Sequence, residues 1–145
     1  MIGLLQRVRH ARVEVDDNVI ADIQSGLLVF VGFEKEDDEK KARRMLERLL
    51  GYRVFCDDEG KMNLGLVDVK GELLLVPQFT LAADTRKGAR PSFSCAATPE
   101  QGLQLFNYLL EEASNMYERV AAGQFGADMQ ISLLNDGPVT FSLKV

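Results

Sequence analysis

Histidine occurs once in this sequence, at His10, and cysteine twice, at Cys56 and Cys95. A single histidine rules out a two-histidine metal site within the chain, and any Ser-His-Asp triad would have to use His10. The cysteines sit in FCDD and FSCAA, which carry no paired spacing, so they cannot build a cysteine-rich zinc site. They read as reduced thiols. Any catalysis must therefore manage without the usual imidazole base.

Long apolar runs are missing too. No stretch approaches the roughly 18 residues that a bilayer span needs. The opening MIGLLQRVRHARVEV places its charges after a very short apolar patch, the reverse of a secretory signal. A cytoplasmic protein without membrane contact is expected. The charge balance also lacks a basic excess: the net charge of −5 argues against a non-specific coat on nucleic acid, and no DNA partner is expected. A local basic patch remains compatible with that balance. Arg7, Arg9, His10 and Arg12 form one candidate, and Arg86, Lys87 and Arg90 another; the alternative for each is an ordinary solvated surface.

What is present is a soluble globular composition, 46% apolar and 27% charged, in 145 residues. That length suits one domain with a substantial core, and no linker, repeat or low-complexity segment divides it. Two helices are expected. The first begins in the acidic run Glu36-Asp37-Asp38-Glu39, which suits the positive end of a helix dipole. Its apolar positions Ala42, Met45, Leu46, Leu49 and Leu50 make one stripe, and Gly51 stands as C-cap. Glu36–Lys40 and Glu39–Arg43 are spaced as favourable i,i+4 pairs. The second helix opens at Thr98-Pro99-Glu100-Gln101, a capping box with proline at the first helical position. Its expected buried face is Leu103, Phe106, Leu109, Leu110, Ala113, Met116, Tyr117 and Val120, with Gly123 ending it.

Elsewhere the pattern alternates or is continuously apolar. Strands are expected at Leu4–Asp16, Val19–Gln24, Leu27–Phe33, Tyr52–Phe55, Glu72–Val76, Met129–Leu134 and Val139–Val145. Many strands beside only two helices predict an α+β single domain. Its sheet should be largely antiparallel or mixed and barrel-like, with two main helices packed on it.

Two segments carry chemistry beyond this pattern. Pro77-Gln78-Phe79-Thr80-Leu81 follows the strand Glu72–Val76 and leads into a loop holding Arg86, Lys87 and Arg90. Strand ends of this kind are where sites sit, or where an ordinary turn does. Asn135-Asp136-Gly137-Pro138-Val139-Thr140 contains the Asp-Gly of a hairpin turn, while Gly-Pro permits a cis bond and close approach to a ligand.

Taken in order along the chain, several motifs resemble the D-aminoacyl-tRNA deacylases. They are Gln6-Arg7-Val8, Gly51-Tyr52-Arg53 with Lys61-Met62-Asn63, Gln78 to Leu81, Arg90-Pro91-Ser92-Phe93, Ala127-Asp128-Met129-Gln130, and Asn135 to Thr140. The resemblance implies hydrolysis of the ester between an amino acid and the terminal adenosine of tRNA, by a homodimer with sites at the subunit interface. It implies catalytic roles for Gln78, Phe79 and Thr80, substrate contacts from Arg7, Phe93, Met129, Gly137 and Pro138, and no requirement for a metal or an organic cofactor. The basic loop of Arg86, Lys87 and Arg90 is then expected to meet tRNA. A Gly-cisPro motif, by match Gly137-Pro138, would reach the partner's pocket and reject L-aminoacyl groups by collision, a filter that cannot exclude glycine and so leaves glycyl-tRNA as a second substrate.

Thr80 stands as nucleophile or as orienter. With no histidine in the motif, water attack is preferred, the N–H groups around Phe79 and Thr80 stabilising the oxyanion and Gln78 positioning the ester or the water. Arg7 is expected to hold the Gly137-Pro138 segment, on a strand face shared with Leu5, Ala11, Val13 and Val15. One residue departs from the family pattern: Pro77 stands where serine is usual and supplies neither hydroxyl nor N–H. A catalytically silent RNA-end binder and a plain structural domain are the competing readings.

Overall fold

The computed structural model describes all residues, 1–145. Strands β1 (Ile2–Val15), β2 (Asn18–Ile23) and β3 (Gly26–Gly32) come first, followed by helix α1 (Glu39–Gly51). A small hairpin of β4 (Phe55–Cys56) and β5 (Met62–Leu64) stands apart from the main sheet. Then come β6 (Glu72–Pro77), a 3-10 turn at Phe79–Ala82, α2 (Pro99–Met116), β7 (Val120–Ala122) and β8 (Gln130–Lys144). The main sheet runs β2-β1-β3-β6-β7, with β8 on the other edge of β1. β1 is antiparallel to β2, β3 and β8, whereas β3–β6 and β6–β7 are parallel. The result is a mixed sheet nearly closed into a barrel, with two helices, as expected.

β3 and β6 are apolar on both faces because both faces are buried. Leu27, Val29, Val31, Leu73 and Leu75 join Met45, Leu46, Leu49, Phe106 and Leu109 in a core under the helices. Leu28, Leu74 and Val76 turn to the other side and meet Val8, Ala11, Val13, Ala21 and Ile23 in a second core. Successive side chains of one strand thus serve two cores.

Helix α1 buries the stripe Ala42, Met45, Leu46, Leu49 and Leu50 that its spacing predicts. Asp38 caps it by accepting from the Lys41 N–H, and Tyr52, one residue after Gly51, is the C-cap. Neither expected i,i+4 pair forms; the helix uses Asp37–Lys41 and Arg43–Glu47 instead. In α2, Thr98 accepts from the Gln101 N–H as a cap should. Gln101 does not close the box: its amide donates to the carbonyls of Lys35 and Asp37.

Four expectations about the elements after α1 need correction. Helix α2 stops at Met116, and Val120 belongs to β7, because residues 120–122 find a parallel partner in β6 and Tyr117 donates its hydroxyl to the Gly71 carbonyl (2.5 Å). The buried face of α2 is Gly102, Leu105, Phe106, Leu109 and Ala113, while Leu103 and Met116 are exposed. Of Tyr52–Phe55 only Phe55 is strand, paired with Leu64. Finally, Met129–Leu134 and Val139–Val145 are not the arms of a hairpin. They are one strand, β8, which follows β1 from Glu14↔Gln130 to Ile2↔Lys144.

The start of β1 is tied to α1 through Asp37, whose side chain is wholly buried. It accepts from the Met1 ammonium (2.6 Å), the Glu34 N–H (2.7 Å) and Lys41 Nζ (3.2 Å). Burial pushes the nearby Glu34 carboxyl up, but hydrogen bonds from Lys144 and the Met1 ammonium outweigh it and hold it below the usual range. Glu34 therefore adds stability above the ordinary carboxylate pKa and loses it as the pH falls. Replacing Asp37 with alanine leaves the Glu34 N–H without its acceptor and takes from the buried Met1 ammonium one of its two carboxylates. Urea denaturation of Asp37→Ala should show a loss of about 3–5 kcal/mol, and a loss below 1 kcal/mol would deny the pair its structural role.

Candidate functional site

β6 ends at Pro77, and the Gln78 N–H extends the ladder by one bond to the Val31 carbonyl (2.8 Å). N–H groups alternate sides along a strand, so the one Pro77 lacks would have pointed towards β7. The last bond on that side runs from the Gly123 N–H to the Leu75 carbonyl (2.9 Å), and proline stands where the next donor of the β6–β7 ladder would be, so the ladder ends there. After Gln78 the chain closes a 3-10 turn in which Leu81 N–H donates to the Gln78 carbonyl and Ala83 N–H to the Thr80 carbonyl. The N–H groups of Phe79 and Thr80 come first in that turn and have no partner within it.

Beside this turn lies a cavity of about 540 Å³. Gln78, Phe79 and Pro77 form one wall, the α2 start at Thr98, Pro99 and Gly102 another, and the 125–129 segment with Phe125, Asp128 and Met129 a third. Val31, Phe33 and Ile131 contribute apolar side chains from the sheet. Asp128 is the one ionisable residue of the lining. Phe93 packs on Phe79, ring centroids 5.1 Å apart, although both rings are largely exposed. Gln78 Nε2 donates to Thr80 Oγ1 (2.7 Å), so the threonine oxygen accepts and its own proton stays on it. Nothing in that contact acts as a base.

The structure thus gathers Gln78, Phe79, Met129 and, at the margin, Thr80 and Phe93. It does not bring Arg7, Gly137 or Pro138 to the same cavity. Arg7 is paired with Leu27 at the start of β3, whereas the cavity meets Val31. Four residues of strand separate them, about 13 Å.

Between Gln6↔Thr140 and Val8↔Asn135, β8 uses five residues where β1 uses two, so residues 136–139 loop outward. The Asn135 side chain closes the loop, accepting from the Val139 N–H (2.8 Å) and donating to Thr140 Oγ1 (2.7 Å). The Gly137-Pro138 bond is cis, and Gly137 has φ +133°, a conformation that favours glycine. A Cβ there would also fall 3.0 Å from Arg7 Nη2. Arg7 Nε donates to the Asp136 carbonyl (3.0 Å), and its Nη1 to the Val54 carbonyl (2.5 Å). The guanidinium thereby fastens the loop to the body of the protein.

Arg7 does not share a face with Ala11 and Val13. Val8↔Asn135 is followed by His10↔Leu134, two residues of β1 against one of β8, and this bulge at Arg9 reverses the alternation.

The basic segments are mostly neutralised. Arg9 pairs with Asp136 and Arg12 with Asp22, while His10 is exposed. Arg86 is committed to Asp84: its side chain, then its backbone N–H, hold that carboxyl well below the usual range. Lys87 and Arg90 are exposed and have no carboxylate partner. Sequence reasoning missed Gly102 and Phe125 as cavity residues. A glycine inside a helix was the available signal, since a Cβ at Gly102 would meet the Phe125 ring at 3.1 Å.

Fold and cavity define a two-helix, near-barrel α+β protein with a preformed, mainly apolar pocket at the ends of two parallel strands. The sequence matches the D-Tyr-tRNA(Tyr) deacylase family over residues 4–144. Proteins named D-aminoacyl-tRNA deacylase are 61% identical in Pseudomonas putida and 56% in Pseudoalteromonas translucida, over the full length of both chains. Among solved structures, one titled c-Myc DNA Unwinding Element Binding Protein superposes with a TM-score of 0.96 at 38% identity, covering 100% of this chain and 99% of the other. A probable eukaryotic D-amino acid tRNA deacylase gives 0.84 at 16%, covering 98% of each, a likeness of fold. The chain belongs to the D-Tyr-tRNA(Tyr) deacylase family.

The loop geometry makes Arg7 testable on its own. In Arg7→Ala, amide hydrogen exchange at Asp136, Gly137 and Val139 should accelerate by about tenfold or more, the loss of one or two charge-assisted hydrogen bonds. Unaltered exchange would show that Asn135 alone holds the loop.

Proposed function

We propose that this protein, as its family implies, hydrolyses the ester of D-aminoacyl-tRNA to free D-amino acid and tRNA, and that it does so through backbone and amide groups rather than an acid–base side chain. The observation that supports this most is the 3-10 turn after Pro77, whose leading Phe79 and Thr80 N–H groups stand next to a preformed cavity. Two N–H donors on a rigid turn suit a developing oxyanion, and one such donor is worth about 3–4 kcal/mol in known hydrolases. Gln78, fixed by its bond to Thr80, would orient the ester or the attacking water. Thr80 is read as an orienter because its oxygen accepts from Gln78 and no base faces it. The apolar lining and Met129 would receive the aminoacyl-adenosine end, with Phe93 extending the wall through Phe79. Lys87 and Arg90, with Arg86 drawn towards Asp84, would meet phosphates of the acceptor end. No cofactor is needed for this chemistry.

The chiral filter belongs to the same proposal. Gly137-Pro138 is exposed and is held by Arg7, itself about 13 Å of strand away from its own chain's cavity, so a second chain in a two-fold dimer is the natural recipient. There the loop would obstruct the side chain of an L-aminoacyl group and admit a D-residue. Glycine presents nothing to obstruct, and glycyl-tRNA follows as a second substrate.

Purified protein should cleave D-Tyr-tRNA and glycyl-tRNA while leaving L-Tyr-tRNA intact. Equal cleavage of both tyrosyl enantiomers would remove the filter. Thr80→Ala should lower kcat by about tenfold, as for a lost orienting bond, and His10→Ala should match wild type. A loss of several orders of magnitude in Thr80→Ala would instead make its hydroxyl the nucleophile. For assembly, sedimentation should give a dimer at micromolar concentration; a fully active monomer would contradict completion of the site in trans.

A further inference from the structure

A second basic surface lies away from the cavity, on helix α1. Lys40, Arg44 and Arg48 follow one another at i, i+4 and i+8 and border a shallow groove with Lys41 and Lys144. Asp38 is the one acidic side chain in that lining. On a chain of net charge −5, five cations around one groove are a concentration that composition alone does not produce.

Helix stability does not ask for it either. Like charges at i,i+4 repel, and this stripe contains two such pairs. Lys40 and Lys41 occupy the first turn, where the helix dipole disfavours cations. Some of the charge is offset: Lys41 meets Asp37, Arg44 meets Glu47, and Lys144 meets Glu34. Lys40 has no carboxylate partner, and Arg48 gives its hydrogen bond to the Lys144 carbonyl, which leaves its charge uncompensated.

The groove is also placed to follow the cavity. Phe33 lines the cavity and Asp38 lines the groove, five residues apart and so within about 18 Å. The segment between them is held rigidly. Phe33 O accepts from the Ala97 N–H, Lys35 N–H donates to the Cys95 carbonyl, and Gln101 bonds the carbonyls of Lys35 and Asp37.

We propose that this α1 groove binds the phosphate backbone of the tRNA acceptor stem, while the aminoacyl end occupies the cavity. The proposal rests on the deacylase reading and adds to it the face along which the RNA leaves the site. A row of cations one helical turn apart reads a backbone, which has charge but little sequence information. The contacts would therefore serve tRNAs of any sequence.

The test compares wild type with Lys40→Gln/Arg44→Gln/Arg48→Gln on two substrates, D-Tyr-tRNA and the stem-less ester 3′-D-tyrosyl-adenosine. On the tRNA, KM should rise about tenfold at unchanged kcat, and the salt dependence of log(kcat/KM) should flatten by about 2–3, one unit or slightly less for each phosphate that the variant leaves unneutralised. On the adenosine ester the variant should equal wild type. Because Arg48 also bonds Lys144, the double variant Lys40→Gln/Arg44→Gln must move the same way by a smaller amount. Unchanged KM and salt slope on the tRNA would overturn the proposal, and so would an equal loss on the adenosine ester. Wild type inactive on both substrates would sink the deacylase reading instead. The groove would then be judged by salt-dependent binding of uncharged tRNA, whose slope must still fall in the triple variant.

Discussion

β1 forms hydrogen bonds along both edges, and the division of its second edge sets the shape of the molecule. One edge is given almost entirely to β8. The other is shared, with β3 taking residues 2–8 and β2 taking residues 11–15. A strand that serves two neighbours in succession must turn between them, and the bulge at Arg9 is where it does. The first half of β1 consequently sends Leu5 to the core under the helices, and the second half sends Ala11 and Val13 to the core on the other side. Arg7 precedes the bulge and keeps the alternation of Leu5, and the extra residues of β8 opposite it, 136–139, bring the Asp136 carbonyl within its reach. The turn in β1 and the fastening of the Gly137 loop thus arise from two neighbouring irregularities in the β1–β8 pairing.

The legibility of the sequence follows from which forces are local. The α1 stripe, the Thr98 cap and the continuous apolar runs of β3 and β6 declare themselves because burial and capping act within a few residues. The end of α2 does not, since its apolar spacing continues to Val120 and only the free edge of β6 explains why that residue is strand. Likewise Asp136-Gly137 carries the local chemistry of a hairpin turn, yet β8 stays on β1 because pairing on both sides outweighs the turn preference. At the cavity, Gln78 and Phe79 were visible as polar and aromatic residues beyond a strand end. Gly102 and Phe125 were not, because their fit depends on two segments meeting. The bare glycine and cis-permissive bond of Gly137-Pro138 hint at more than a turn, but preferring that reading to a hairpin rests on the resemblance.

Hydrolysis on the proposed reading asks little of side chains, and the structure is consistent in where it concentrates its order. An aminoacyl ester is already activated, so a few kcal/mol of oxyanion stabilisation and correct placement of water suffice to accelerate its cleavage usefully. What such a site cannot tolerate is looseness. Gln78 is therefore tied by its backbone to Val31 and by its side chain to Thr80, and Phe79 leans on Phe93. None of these ties uses the N–H that Pro77 lacks.

Charge follows the same pattern of local placement. Cations near acidic neighbours, Arg9, Arg12 and Arg86, are neutralised and contribute little net field. Those without carboxylate partners are Lys35, Lys40, Arg48, Arg53, Lys70, Lys87 and Arg90, and two of them fall on α1 and two in the 86–90 loop. A net negative protein repels nucleic acid in general, so it binds a polyanion only where such cations coincide with a shape that fits. Weak general attraction and local contacts together favour a partner that can occupy a pocket and a groove at once, as the 3′ end and stem of a charged tRNA would. A uniformly basic surface would hold any RNA and turn over few.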